Sequence, residues 1–126
     1  MEIIIDTSSL LFSVKNKCDI ILKVSQQFNN AQIAISDGIL RELKGLSSGN
    51  SNLSIIAKTT MEILKNKKVK VYKNNEFVDD WILKKALYND KSKVDQLIIT
   101  NDTLLYKKLK SNNIKVKKVN IKCFLK

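Results

Sequence analysis

Two runs constrain this chain more than any other feature: Ile3-Ile4-Ile5 and Leu97-Ile98-Ile99, both short, rich in isoleucine and unbroken by a polar residue. A strand with one wet face alternates apolar and polar side chains. A run without alternation has to be covered on both faces, which is the condition of a strand in a parallel sheet sandwiched between helices. Neither run approaches the roughly 20 apolar residues of a membrane-spanning helix.

The intervening sequence supplies the covering helices. Apolar spacing predicts strands over Glu2 to Ile5, Gln32 to Ile35, Lys68 to Tyr72, Val94 to Thr100 and Ile114 to Val119. Between them fall helices over Asp19 to Phe28, around Ile39, Leu40, Leu43 and Leu46, over Leu53 to Lys65, around Phe77, Trp81, Ile82, Ala86 and Leu87, and over Thr103 to Lys110. Asp6-Thr7-Ser8-Ser9 reads as turn and cap chemistry. Strands separated by helices argue for an α/β fold with right-handed crossovers. With no proline, no repeat and no low-complexity tract, residues 1–126 read as a single domain. Met1 to Asp6 lacks the basic start of a signal peptide, so the chain is read as cytoplasmic, with no membrane partner.

Composition removes most catalytic schemes. There is no histidine, which excludes Ser-His-Asp triads and imidazole metal sites. Only Gly38, Gly45 and Gly49 are glycines, so no phosphate-cradling glycine loop exists. Cys18 and Cys123 lie far apart, and two buried, reduced thiols are expected of them; Trp81 is expected in the core. An excess of 23 basic over 12 acidic residues gives a net charge of +11, a field that attracts polyanions, nucleic acid above all. Every basic residue except Arg41 is lysine, however, so the excess also fits a background bias toward Lys, Asn and Ile. Aromatic content is 6% with no stacking run, and base recognition on aromatic platforms is not expected.

Chemistry in parallel sheets gathers at the carboxyl ends of the strands. Asp6 directly follows the first apolar run, and Asp102 follows Leu97-Ile98-Ile99-Thr100-Asn101. Glu42 lies one turn into the helix after the second strand, beside an apolar stripe, and Asp79-Asp80 opens the helix after the third. Singly, each acid has a plain structural explanation as a helix cap, a dipole partner or a lysine partner. Together, four acids on one sheet edge of a basic chain repel one another, and a hard divalent cation, Mg²⁺ or Mn²⁺, resolves that repulsion. Such an ion activates water and stabilises phosphoryl charge, while the basic surface attracts the polyanion. Phosphodiester hydrolysis uses both features.

These residues also carry a resemblance. Ile3-Ile4-Ile5-Asp6-Thr7-Ser8 resembles the opening motif of PIN-domain nucleases, and Ile39-Leu40-Arg41-Glu42-Leu43 their second. Val78-Asp79-Asp80-Trp81-Ile82 is similar to the third acidic motif, and Leu97-Ile98-Ile99-Thr100-Asn101-Asp102 to the fourth. The ordered set spans nearly the whole chain and looks most like small archaeal-type PIN proteins grouped with VapC toxins and ribosomal-RNA-processing nucleases. It implies a Rossmann-like three-layer fold with a central, mainly parallel sheet, Mg²⁺- or Mn²⁺-dependent endoribonuclease activity on RNA, a homodimer, and an antitoxin protein as partner if the chain is a toxin. Asp6, Glu42, Asp79 and Asp102 would then form the acidic, metal-binding set, with Asp80 adjoining it. Thr7, Ser8, Thr100 and Asn101 would orient ligands or phosphate, Ser8 standing where many members have Asn. Asp79 is preferred to Asp80 because it precedes Ile82 by three residues. The competing reading is a PIN-fold RNA-binding or assembly module without turnover.

Overall fold

The computed structural model describes residues 1–126. In chain order the elements are β1 (Glu2–Ile5), α1 (Thr7–Lys15), α2 (Ile20–Gln27), β2 (Gln32–Ser36), α3 (Asp37–Leu46), α4 (Asn52–Lys65), β3 (Lys70–Tyr72), α5 (Val78–Lys91), β4 (Gln96–Ile99), α6 (Thr103–Ser111) and β5 (Val116–Lys117). The strands form one sheet in the order β3-β2-β1-β4-β5, with every neighbouring pair parallel.

The two apolar runs lie side by side at its centre, Ile3 opposite Leu97 and Ile5 opposite Ile99. Ile3, Ile4, Ile5, Ile98 and Ile99 are completely buried, as unbroken apolar strands require. From β1 the chain steps outward through β2 to β3, then returns past β1 to β4 and β5. Right-handed crossovers consequently send the two sets of connecting helices to opposite faces. Helices α1, α3 and α4 pack on one another, and α5 packs on α6 and β4. Ile39 and Leu43 of α3, and Ile82 and Ala86 of α5, are the buried stripes that meet the sheet. No helix is long and apolar enough to cross a membrane.

The structure departs from the sequence reading in three places. Residues 7–15 form a helix, not only a turn, because the Asp6 carbonyl accepts from the Ser9 and Leu10 amides (3.1 and 3.2 Å) and starts the first turn. The outer strands are shorter than expected, β3 beginning at Lys70 and β5 covering two residues. Short edges limit strand addition by another chain. Finally, Cys18 and Cys123 are joined as a disulfide, with a Cα–Cα distance of 6.1 Å across 105 residues of sequence. The expectation of two reduced thiols is thereby corrected. Spacing in sequence could not reveal that the C-terminal segment folds back onto the α1–α2 turn.

Candidate active site

Asp6 terminates β1 where the strand order reverses, between β1 and β4. In open α/β sheets this switch point leaves a crevice at the strand ends. Its residue occupies the N-cap position of α1, yet its side chain makes no capping bond to that helix. Instead, Asp6 Oδ2 accepts hydrogen bonds from the Ser8 hydroxyl and the Thr100 hydroxyl, both at 2.8 Å. Those two hydroxyls lie 3.3 Å apart, and the Ser8 oxygen also accepts from the Asn101 amide at 3.0 Å. Asn101 is fixed in turn: Ser9 donates to its Oδ1 (2.6 Å), Val119 donates to the same oxygen (3.0 Å), and its Nδ2 donates to the Val119 carbonyl (2.8 Å). A lattice of small polar side chains from β1, α1 and the β4–α6 turn thus holds one buried carboxylate, 6% exposed, with no cation in contact.

The remaining acids surround Asp6. A cleft of about 700 Å³ is lined by Asp6, Glu42, Asp79 and Asp102, with Thr7 and Ser8 between them. Asp80 does not line it; its backbone amide donates to Asp79 Oδ1 at 3.1 Å, and the residue is exposed. The Thr7 hydroxyl donates to Glu42 Oε1 at 3.3 Å, linking α1 to α3. Asp102 caps α6 through Oδ1, which accepts from the Leu105 amide at 3.0 Å. The capping explanation therefore applies to Asp102 and fails for Asp6. Thr100 is fully buried beneath the site, and its Oγ1 accepts from the Asp102 amide at 3.1 Å, so a single hydroxyl ties two of the acids together.

The electrostatics follow from this crowding. Burial pushes the Asp6 carboxyl above its ordinary range, against the bonds from Ser8 and Thr100, and Asp102 adds to the rise. Glu42 is also raised, by burial first and then by the charges of Asp6 and Asp79. The acids consequently act on one another as a group.

Sequence reasoning missed the wall opposite α1. The loop between β3 and α5 is bolted to α3 by Asn74, which is 5% exposed. Asn74 Oδ1 accepts from the Gly38 amide (2.9 Å), its Nδ2 donates to the Glu76 carbonyl (2.6 Å), and its own amide donates to Asp37 Oδ1 (3.0 Å). The approach needs glycine, since a Cβ at Gly38 would sit 2.6 Å from Asn74 Oδ1. Arg41 completes the joint, donating to the Asn74 carbonyl (3.0 Å) and pairing with Asp37 (3.2 Å). The Asn74 amide, and after it Arg41, hold the Asp37 carboxyl below its usual range. Arg41, Glu76 and Phe77 all reach the cleft, and Glu76 is balanced by Lys84 at 3.6 Å. Asp37-Gly38 and Asn74 follow strands just as Asp6 does, and the strand-end rule would have flagged them.

The fold has counterparts among known proteins. A family model described as a PIN-like domain matches residues 3–122. The chain belongs to the PIN-like domain family. Among solved structures, this PIN-like chain is similar to the PIN domain endonuclease Utp24, at 22% identity and a TM-score of 0.73, covering 94% of this chain and 85% of that one. It is similar to a domain of a functionally unknown protein from Methanocaldococcus jannaschii, at 15% identity and a TM-score of 0.63, covering 94% and 91%. VapBC-1 from nontypeable Haemophilus influenzae gives 18% identity and a TM-score of 0.56, covering 94% and 98%. At these identities the likeness shows the fold, a three-layer α/β PIN architecture. No curated protein is a significant match.

Proposed function

We propose that this PIN-like chain, acting as one domain over residues 1–126, is a metal-dependent endoribonuclease with Asp6 as the central acid. The observation that carries the reading is the state of Asp6: buried, raised, beside other acids, and not used to cap its helix. A carboxylate so placed suits a cation as partner. No three acidic or thiol side chains form a ready-made metal cage. The donor set nonetheless fits Mg²⁺ or Mn²⁺, which need only one or two carboxylates and keep waters and substrate phosphate in their other positions. Asp6, Asp79 and Asp102, with Glu42 across the cleft, would hold the ion, which would supply an activated water and neutralise phosphoryl charge.

The chain's own residues do the positioning. Ser8 and Thr100 fix Asp6 Oδ2, which sets the orientation of the carboxylate at the cleft it lines. Thr7 fixes Glu42 Oε1, and Asn101 locks the turn that carries Asp102. The motif resemblance to VapC toxins and ribosomal-RNA-processing nucleases supports two biological settings, RNA maturation and a toxin with an antitoxin partner; a small gene beside this one would favour the second. Homodimer formation belongs to the same proposal. The second reading, an RNA-binding PIN module without turnover, is favoured by the lack of a preformed cage, and RNA binding without cleavage would establish it.

The experiment is RNA cleavage by purified protein with Mn²⁺, comparing Asp79→Asn with Asp80→Asn. Cleavage in Mn²⁺, loss in EDTA, loss in Asp79→Asn and substantial retention in Asp80→Asn are expected. Loss in Asp80→Asn with activity kept in Asp79→Asn would move the third acid from Asp79 to Asp80.

A further inference from the structure

Phe77 is the most exposed large apolar residue of the chain, at 81%, although the sequence offers no aromatic run on which bases would stack. It occupies the N-cap position of α5 and lines the acidic cleft. The backbone below it is not loose. Asn74, three residues earlier, is buried and bonded to Gly38, Asp37, Arg41 and the Glu76 carbonyl. An aromatic ring is therefore held in water, on a braced loop, at the mouth of the proposed catalytic cleft. Water exposure of an apolar ring carries a free-energy cost that a bound partner relieves.

Beside it on the same wall is Arg41, the one guanidinium among 23 basic residues. It is aimed by Asp37 and the Asn74 carbonyl, which use one N–H on each of its terminal nitrogens. A guanidinium has five N–H donors, and the rest of the fork suits a phosphate. An aromatic face and a positioned guanidinium together match an unpaired nucleotide: the base stacks and the backbone phosphate pairs. A duplex, whose bases are stacked on each other, offers no free face.

We propose that Phe77 and Arg41 form a subsite for an unpaired nucleotide flanking the bond to be cut. This rests on the nuclease reading and assigns two of its substrate contacts. Phe77 is the stacking platform, and Arg41 is the phosphate contact.

The test is binding of a short, unstructured, labelled RNA to the full chain by fluorescence anisotropy, in EDTA and again with Ca²⁺. A duplex of the same sequence and an abasic oligonucleotide serve as competitors. Phe77→Ala should weaken the single strand about ten-fold, leave duplex and abasic affinities unchanged, and leave the melting temperature unaltered. Phe77→Trp should restore binding. Equal weakening of all three ligands, no weakening, or no RNA binding by the parent would overturn the subsite. So would a Phe77→Ala variant that changes from dimer to monomer in sedimentation with RNA affinity intact, since the ring would then be a self-association contact. Binding is read without turnover, which separates the two readings. Stacking without cleavage would remove the nuclease and keep the subsite. Cleavage with an unchanged KM in Phe77→Ala would do the reverse.

Discussion

Strand β1 carries a buried acid at each end, and the two are treated in opposite ways. Glu2, 9% exposed, accepts from the Tyr72 hydroxyl and from Asn89 Nδ2 (2.9 Å), with the Lys85 ammonium at 3.9 Å. Asn89 also donates to Gln96 Oε1 (3.2 Å), and Gln96 donates to the Ala86 carbonyl (2.8 Å). Tyr72 packs on Trp81 with ring centroids 5.7 Å apart. That end is closed: hydroxyl, amide and cation surround the carboxylate. Asp6, at 6% exposure, has two hydroxyls, three acidic neighbours and an open cleft. Burial alone does not mark a functional acid. The marker is burial without a cation, next to other acids, at the end of the sheet where a ligand can enter.

Replacing each acid should separate the two ends most sharply. Asp6→Asn should lower Mn²⁺-dependent cleavage more than about 100-fold, because even a residue that only supports a metal ligand costs 10–100-fold. Its fold should remain intact and be at least as stable in metal-free buffer, the repulsion having been relieved. Glu2→Ala should keep the cleavage rate per folded molecule and lower stability by about 1–3 kcal/mol for each partner left unpaired. Urea melts and initial rates measure both. A stable Glu2→Ala, or an active Asp6→Asn, would erase the contrast.

The disulfide bears on the Asp6 end alone. The tail it secures carries Val119, whose backbone holds the Asn101 side chain. Closing a loop of about this length is worth roughly 2–4 kcal/mol in practice. Reduction, or Cys123→Ser, should therefore lower Tm by about 10 °C and slow cleavage in the folded protein, with the Tyr72–Trp81 environment unchanged in near-ultraviolet spectra.

The smallest effect is a pH slope. A carboxyl raised in the folded state binds its proton more tightly folded than unfolded, so its ionisation opposes folding. For Asp6 the penalty is absent well below 3.8, grows as pH rises through the raised value, and is complete above it. Metal-free stability of the parent relative to Asp6→Asn should accordingly fall with rising pH from about 4 upward. Chemical denaturation in EDTA across that range measures the difference; a rising one would mean that Asp6 is stabilised by its hydroxyls instead.

How much of this was visible in the sequence depends on range. The central strands were legible because Ile3-Ile4-Ile5 and Leu97-Ile98-Ile99 announce burial on both faces, and the strand-end rule brought Asp6, Glu42, Asp79 and Asp102 to one edge. Helix α1 was obscured by Thr7-Ser8-Ser9, which pack as small polar residues beneath the site instead of forming a loop. Phe77 was read as part of the helix because helical spacing cannot tell the first residue outside a helix from the first within it. The Asn74 joint and the disulfide connect residues separated by 33 to 105 positions, and nothing local encodes such contacts.

The central claim is that the Asp6 end of β1 binds a divalent cation. A thermal melt of the full chain with and without millimolar Mn²⁺, repeated on Asp6→Asn, tests it most directly. The parent should melt several degrees higher in Mn²⁺, lose the gain in EDTA, and differ from an Asp6→Asn variant that shows no metal response. An unresponsive parent, or equal shifts in both proteins, would contradict the account.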